Sequence, residues 1–197
     1  SPGRVRFKGI RLRGEGLAVD ALGGIDDLSK PEVNILARAR MRGEDLSRYF
    51  RAGIPLAGPV SAVASLRVPP GGRFRVRGEF EIGEGGRFGP FPMTGGGAIR
   101  VDPDGLLAHV RGAQYAGGSL EALVQLGRLK GPPLPVQIAV AGRGIDFETF
   151  FADLGLPGTG LMSRADLDMT LTFGPGGAEH ADGSGMLRLV PSPGVPS

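Results

Sequence analysis

The side chains that could carry out chemistry in this chain are few, and they lack the partners that catalysis needs. The sequence has two histidines, His109 within an alternating strand pattern and His180 in a turn segment. Neither has a metal-ligand partner at a spacing such as i+4. The chain contains no Cys, which excludes a thiol nucleophile and a thiolate metal site. We therefore predict no metal site and no catalytic histidine.

The acidic pair Asp166 and Asp168 is a second candidate for chemistry, because residues two apart share one face of a strand. Two such carboxylates could hold a hard cation or serve as acid and base in hydrolysis. Thr170 and Thr172 continue the same face, as expected of an ordinary solvated surface. We predict the solvated surface and keep a hydrolase as an alternative.

Two glycine-rich stretches and one acidic turn have only a superficial likeness to ligand-binding loops. Residues 83–86 and 95–97 do not open a helix, as a phosphate-cradling loop must. Residues 102–105 lack the later ligands and the terminal Glu of a calcium loop. Turns and flexible loops explain these segments. The chain is predicted to be non-enzymatic and to bind no cofactor.

The basic residues are dispersed rather than gathered into a patch. The net charge is +3, and the cations alternate with apolar residues without the stacking aromatics typical of nucleic-acid-binding proteins. Arg73, Arg75 and Arg77 come closest to a run, and their spacing places them on one strand face. We interpret them as a solvated outer face, with a phosphate or lipid-headgroup contact as the alternative. No nucleic-acid partner is predicted.

The composition is rich in turn residues, with 36 Gly and 17 Pro among 197 residues. Such a proportion overlaps that of disordered sequences. Apolar residues nevertheless alternate over many segments, and Gly and Pro fall between these segments, as turn residues do. The few aromatic residues favour a thin apolar layer over a thick core. No run of 18 apolar residues and no signal-peptide pattern is present.

Near-strict alternation predicts strands with one apolar and one polar face. The strongest patterns cover residues 33–41, 60–68, 73–82 and 165–173. Weaker strands are predicted at residues 5–12, 98–101, 106–111, 119–126, 136–141 and 185–190. The predicted fold is therefore all-β, with an extended, curled antiparallel sheet.

Two short helices are predicted near residues 45–52 and 146–154. Asp45 and Asp146 can cap them, and each helix gathers aromatic residues on one side, as Phe147 and Phe150 do in the second. Helices this short need a surface to lie on. We expect them to close one end of the sheet or to cover an edge.

The two helices belong to an internal repeat. A shift of 101 positions places Pro132 on Pro31 and Val136 on Ile35, and it keeps the same face apolar in both copies. Repeats of this kind are typical of stacked modules rather than of one closed active site. We predict a first β repeat over residues 1–100, a second over 101–190 and a linker-like tail over 191–197. The start at Ser1 and the Pro-rich end suggest a piece of a longer protein.

The apolar face of such a sheet must be covered by a second layer, by helices or by a ligand. The predicted helices are too short to cover it. If the two halves of the sheet pack together, the result is a closed β-sandwich, and if they stay apart, the result is a trough suited to acyl chains. The pattern alone leaves both open. Candidate residues lining a trough are Val33, Ile35, Val60, Leu66, Phe74, Val76, Phe80, Val136, Ile138, Leu167, Met169, Leu171 and Phe173.

Several segments together resemble the AsmA-like/TamB family of bacterial envelope proteins. They are Leu156-Pro157-Gly158-Thr159-Gly160-Leu161, the alternating strand at 163–172 and Asp182-Gly183-Ser184-Gly185-Met186-Leu187-Arg188-Leu189. Tyr115-Ala116-Gly117-Gly118-Ser119-Leu120-Glu121 is similar to the family's strand starts. The motifs are loose, because such repeats are defined by pattern rather than by invariant side chains.

The resemblance implies a β-taco, a curled sheet with a continuous hydrophobic groove. It also implies a periplasmic segment of an inner-membrane-anchored, bridge-like protein that carries phospholipid between the inner and outer membranes. The family offers no catalytic residues to transfer. A second implied role is the assembly of outer-membrane proteins or adhesins through exposed sheet edges, and a closed structural sandwich is a third alternative.

Overall fold

The computed structural model describes residues 3–45, 56–127, 136–158, 160, 162–173 and 181–191. Its main element is one open antiparallel sheet of eleven strands, accompanied by a small sheet of three. The large sheet contains β1 (Val5–Gly14), β2 (Leu17–Asp26), β3 (Glu32–Arg42), β5 (Pro59–Val68), β6 (Arg75–Ile82), β9 (Thr94–Asp102), β10 (Gly105–Tyr115), β11 (Gly118–Leu126), β12 (Val136–Asp146), β13 (Ser163–Phe173) and β14 (Ala181–Pro191). The small sheet contains β4 (Leu56–Ala57), β7 (Arg87–Phe88) and β8 (Phe91–Pro92). One helix, α1 (Phe147–Asp153), follows β12.

Each strand of the large sheet pairs with its neighbour in sequence, so the chain runs up and down across the sheet. Tight turns make this possible. Ala116 and Gly117, between β10 and β11, both have positive φ angles, of 46° and 72°. A two-residue turn of this kind matches the right-handed twist of the strands it joins. The predicted fold class, an all-β extended antiparallel sheet, is confirmed.

The pairing register separates the side chains into two faces. The apolar face carries Val19, Ala39, Ala64, Val76, Ile99, Val110, Val124, Ile138 and Met169. The polar face carries Asp20, Arg38, Ser65, Arg77, Arg100, His109, Gln125, Gln137 and Thr170. Antiparallel partners always point to the same side of a sheet, so every neighbouring strand must keep the alternation in phase.

At three β-bulges, one extra residue in a strand keeps its apolar side chains on the apolar face although the sequence alternation shifts by one position. In β12, the pairs Gly142↔Leu167 and Ile145↔Ala165 show one extra residue on the β12 side. The extra residue returns Ile145 to the apolar face instead of leaving it on the polar face. Gly144 takes a φ of 64° within this bulge, a conformation that a residue with a side chain rarely adopts. β1 and β10 contain corresponding irregularities.

Some elements differ from the sequence-based prediction. β2 was not predicted, because Gly23 and Gly24 interrupt its alternation, and the two-residue strands of the small sheet gave no pattern to find. The first predicted helix, near residues 45–52, begins two residues earlier than predicted, since residues 43–45 are helical, and residues 46–52 lie outside the described part of the chain. The predicted division at residue 100 falls within β9, and the sheet continues on both sides of it.

The tightest packing lies at one end of the sheet, where α1 follows β12. Tyr115, Ile145 and Leu167 form a buried cluster there, and Phe91 and Phe150 pack against it. Phe91 comes from the small sheet and Phe150 from α1. We call this region the cap end. The edge strand β14 contributes nothing to this core, because all its described side chains are exposed.

The N-terminus of α1 is fixed by Asp146, whose Oδ1 accepts hydrogen bonds from the Thr149 backbone N–H at 2.8 Å and the Thr149 hydroxyl at 2.7 Å. The hydroxyl hydrogen bond and then the backbone hydrogen bond lower the pKa of Asp146 below its ordinary value of 3.8. These bonds stabilise the charged carboxylate. Their stabilisation is therefore fully present above pH 3.8 and is lost as the pH falls through the lower pKa of the folded state.

Replacing Asp146 with Ala is expected to lower the free energy of unfolding by about 0.5–2 kcal/mol at pH 7, because a capping oxygen is lost. The difference between the variant and the wild type should shrink as the pH falls below 3.8. Urea unfolding at pH 7 and pH 3 measures both effects. A difference of equal size at the two pH values would contradict this role of the carboxylate.

Candidate functional site

The apolar face of the large sheet is a surface of the described structure that could receive a ligand. Among the paired residues of the eleven described strands, no position on this face carries a charged side chain. The charged residues of these strands are paired on the other side, as in Arg38↔Val63 and Arg77↔Arg100. The face is therefore an uninterrupted apolar surface that crosses the whole sheet.

The structure brings the predicted lining residues together on this face. Ile35 pairs with Leu66, Leu66 pairs with Val76, and Ile138 pairs with Leu171. The register places Val33, Val60, Phe80, Val136, Leu167, Met169 and Phe173 on the same side. Phe74 immediately precedes β6 and is half-buried. That these residues line a groove for a ligand stays a prediction.

Burial is uneven along this set of residues. Val60, Ile138 and Leu167 are only 3–6% exposed. Val33, Ile35, Leu66, Phe74, Val76, Phe80, Val136, Met169 and Leu171 are half-buried, and the side chain of Phe173 lies outside the described part. In the described ranges, the other regular elements are the small sheet, the seven-residue α1 and the three helical residues 43–45, and all are too short to cover eleven strands. Much of the apolar face is therefore only partly covered by the protein itself.

An aromatic cluster closes the apolar face at the cap end. The Phe91 ring meets the Tyr115 ring edge-on at a centroid distance of 5.5 Å and stacks on the Phe150 ring at 5.8 Å. The Tyr115 hydroxyl donates a hydrogen bond of 2.9 Å to Asp153 Oδ2 at the end of α1. Burial of Tyr115 raises its pKa most, and the hydrogen-bonded Asp153 carboxylate raises it further. The hydroxyl therefore stays protonated and can donate. These contacts hold α1 against the sheet.

The sequence predicted only one of the three rings in this cluster. Phe150 was predicted to lie on the packing side of the second helix, and the expectation that the helix closes one end of the sheet agrees with its position. Phe91 and Tyr115 were missed. Phe91 sits in a two-residue strand with no alternation, and Tyr115 continues the apolar face only because a bulge lies between Val110 and Ala113.

Asp166 and Asp168, the acidic pair on the polar face, form hydrogen bonds that hold the structure of a bulge. Asp166 Oδ1 accepts a 2.9 Å hydrogen bond from the Gly144 backbone N–H, and Asp168 Oδ1 accepts a 3.0 Å bond from Arg143 Nη2. Arg143 Nη1 also donates to the Gly142 and Leu167 carbonyl oxygens. Both carboxylates thus bind the bulge that returns Ile145 to the apolar face.

The double variant Asp166→Asn, Asp168→Asn is expected to leave the apolar face of the sheet intact, because both side chains lie on the polar face. It should lower stability by only about 0.5–2 kcal/mol, since exposed ion pairs and single hydrogen bonds are worth little. Thermal unfolding and hydrolytic activity of the wild type and of this variant are the measurements. Loss of function with an unchanged melting temperature would instead support the hydrolase alternative.

His109 lies on the polar face beside an open depression of about 540 Å³. Its Nδ1 accepts a hydrogen bond of 3.1 Å from Arg111 Nε. In the described part of the chain, no three His, Asp or Glu side chains gather as a metal site would require. His180 lies outside the described residues.

The arginines that come closest to a run lie at the end of the sheet opposite the cap. Arg73 pairs with Asp104 at 3.1 Å, whereas Arg75 and Arg77 form no ion pair within the described residues. Arg77 stands directly across from Arg100, which is paired with Asp102. The surface is exposed, as predicted for an outer face.

None of the helices in the described ranges is long and apolar enough to cross a membrane. No family model matches the sequence, and comparisons with curated proteins and with solved structures also give no match. The apolar face therefore has to be interpreted from its own geometry.

Proposed function

We propose that the apolar face shields the acyl chains of phospholipids, and that the chain is a non-enzymatic segment of a periplasmic, bridge-like protein. Its partners would be phospholipids passing between the inner and outer membranes, and the full-length protein would be anchored in a membrane. The resemblance to the AsmA-like/TamB family suggests this role.

The observation that carries the proposal is the absence of charge from the paired positions of the apolar face across all eleven described strands. A solvated sheet face has no reason to exclude charged residues so completely. A face fully covered by protein would be buried throughout, whereas Leu66 and Val76 are half-buried. An uncharged apolar surface that the protein covers only in part suits an apolar ligand.

The energetics favour a long, flexible chain as the ligand. Each methylene removed from water contributes about 0.8 kcal/mol, so some ten buried methylenes contribute several kcal/mol before ordering costs. The contact is spread over many Ala, Val, Leu and Ile side chains. For this reason no single conservative substitution on the face should abolish binding.

Photo-crosslinking tests which face meets the lipid. A photoreactive amino acid is placed at Leu66 on the apolar face or at Val63 on the polar face of the same strand, and the protein is purified from cells and irradiated. Crosslinked phospholipid is expected at position 66 and not at position 63. Equal labelling at the two positions, or none at either, would refute the proposal.

A matched pair of charge variants tests the same point by loss of binding. Leu66→Asp introduces a carboxylate between Ile35 and Val76, whereas Val63→Asp introduces the same charge where the side chain is already 44% exposed. Copurified phospholipid, measured by mass spectrometry, should fall strongly in the first variant and stay at the wild-type level in the second.

A second candidate function is the assembly of outer-membrane proteins, favoured by the exposed edge strand β14. An open edge can accept an incoming strand through backbone hydrogen bonds. Crosslinks from β14 to a client protein, without lipid at position 66, would support this alternative. A closed sandwich predicts neither crosslink.

A further inference from the structure

Two pairs of arginines face each other across neighbouring strands in the middle of the large sheet. Arg67 of β5 stands directly opposite Arg75 of β6, and Arg77 of β6 stands directly opposite Arg100 of β9. All four residues are exposed, and their side chains lie on the polar face. We call them the arginine cluster. Like charges directly across two strands destabilise a sheet, because their Cβ atoms are only about 4.5–5.5 Å apart.

The carboxylates around the arginine cluster offset only part of its charge. Glu32 binds Arg67 at 2.8 Å, and Asp102 binds Arg100 at 3.1 Å. The other two members of the cluster form no ion pair with any residue that the structure describes. Four arginines less these two carboxylates leave a surplus of two positive charges.

We propose that the arginine cluster binds the phosphate group of a small, water-soluble phosphate or diphosphate compound. A phosphate monoester carries about 1.5–2 negative charges at neutral pH, which matches the surplus of the cluster. Guanidinium groups also present pairs of N–H donors whose spacing fits phosphate oxygens. A phosphate between Arg77 and Arg100 would replace the repulsion of the two cations with two attractions.

The cluster stands on a rigid framework. β5, β6 and β9 are central strands that are paired on both sides. Ser65, which stands opposite Arg77, donates a hydrogen bond of 3.2 Å from its Oγ to the Arg77 carbonyl oxygen. The backbone therefore fixes the spacing of the four arginines before a ligand arrives, which lowers the ordering cost of binding.

The surroundings of the cluster favour a compact ligand over a bilayer or a nucleic acid. Glu79 and Glu81 continue the polar face of β6 toward the cap end, where they would repel an extended anionic surface. Among the paired residues of β3, β5, β6 and β9, no aromatic side chain lies on the polar face. Proteins that bind single-stranded nucleic acids use such rings to stack bases.

The inference is independent of the lipid-binding proposal. The arginine cluster and the apolar face lie on opposite sides of the sheet. A lipid whose acyl chains lie along the apolar face therefore could not place its headgroup on these arginines.

Titration calorimetry with inorganic pyrophosphate at low ionic strength tests the proposal. The wild-type chain should bind pyrophosphate, and Arg77→Gln should raise its dissociation constant about tenfold or more, because one charged pair of donors is lost. Arg38→Gln is the matched control. Arg38 is also an exposed arginine of the polar face, but it stands opposite Asp20 and Val63 rather than another arginine. Its replacement should leave the dissociation constant unchanged.

Thermal unfolding distinguishes loss of the site from loss of the fold. In phosphate-free buffer, Arg77→Gln should unfold at the wild-type temperature or above it, since the substitution removes a like-charge pair. Added pyrophosphate should raise the unfolding temperature of the wild type but not that of the variant, because a ligand that binds only the folded state stabilises it.

Vesicles containing phosphatidic acid provide the comparison with a membrane ligand. Any cosedimentation with them should be the same for the wild type and Arg77→Gln. Vesicle binding that Arg77→Gln loses, without binding of pyrophosphate, would overturn the proposal and assign the cluster to a membrane surface. A wild-type chain that does not bind pyrophosphate, or an equal loss in Arg77→Gln and Arg38→Gln, would also overturn it.

Discussion

Replacing Met169 with Asp is expected to abolish phospholipid binding and to destabilise the protein by about 2–4 kcal/mol. Met169 lies on the apolar face between Val140 and Gly185 and packs against the buried cluster at the cap end. A carboxylate there must either lose water or displace the side chains around it. Denaturant unfolding and mass spectrometry of copurified lipid measure the two effects.

Thr170→Asp is the matched control, because Thr170 is the next residue of β13 and is exposed on the polar face. Its stability should change by no more than about 0.5 kcal/mol, and lipid binding should remain. If Met169→Asp bound lipid as the wild type does, the apolar face could not be the binding surface.

Ile145→Ala is expected to cost about 2–5 kcal/mol of unfolding free energy. Ile145 is fully buried, with 0% exposure, and it lies where the bulge of β12 returns the chain to the apolar face. Truncation leaves a cavity between Tyr115 and Leu167, the other members of the cluster. Urea unfolding monitored by circular dichroism measures the loss.

Ile10→Ala removes the same atoms from β1, where the side chain is 39% exposed. The expected cost is below about 1 kcal/mol, since little buried area is lost. Equal costs at the two positions would show that stability is spread evenly over the sheet rather than concentrated at the cap end.

The alternation of residues with period two was sufficient to predict most strands of the large sheet and the division into two faces. Val33, Leu66, Val76 and Met169 were all placed on one side from sequence alone, and their register agrees. A one-residue slip anywhere would have inverted this pattern, which is why it is so informative.

What the sequence could not reveal depends on contacts between distant segments. β2 escaped prediction because glycines break its alternation, and the bulge at Gly144 depends on Asp166 from the following strand. The same contact gives Asp166 a structural hydrogen bond that the sequence alone did not show. The position of Phe91 beside Tyr115 likewise requires the small sheet to be in place.

A cryo-EM or crystal structure of the protein, purified from cells together with whatever it binds, would test the central claim most directly. We predict elongated density along the apolar face, in contact with Leu66 and Val76. A structure in which the two halves of the sheet pack directly on each other, with that face filled by the protein's own side chains, would contradict the proposed function.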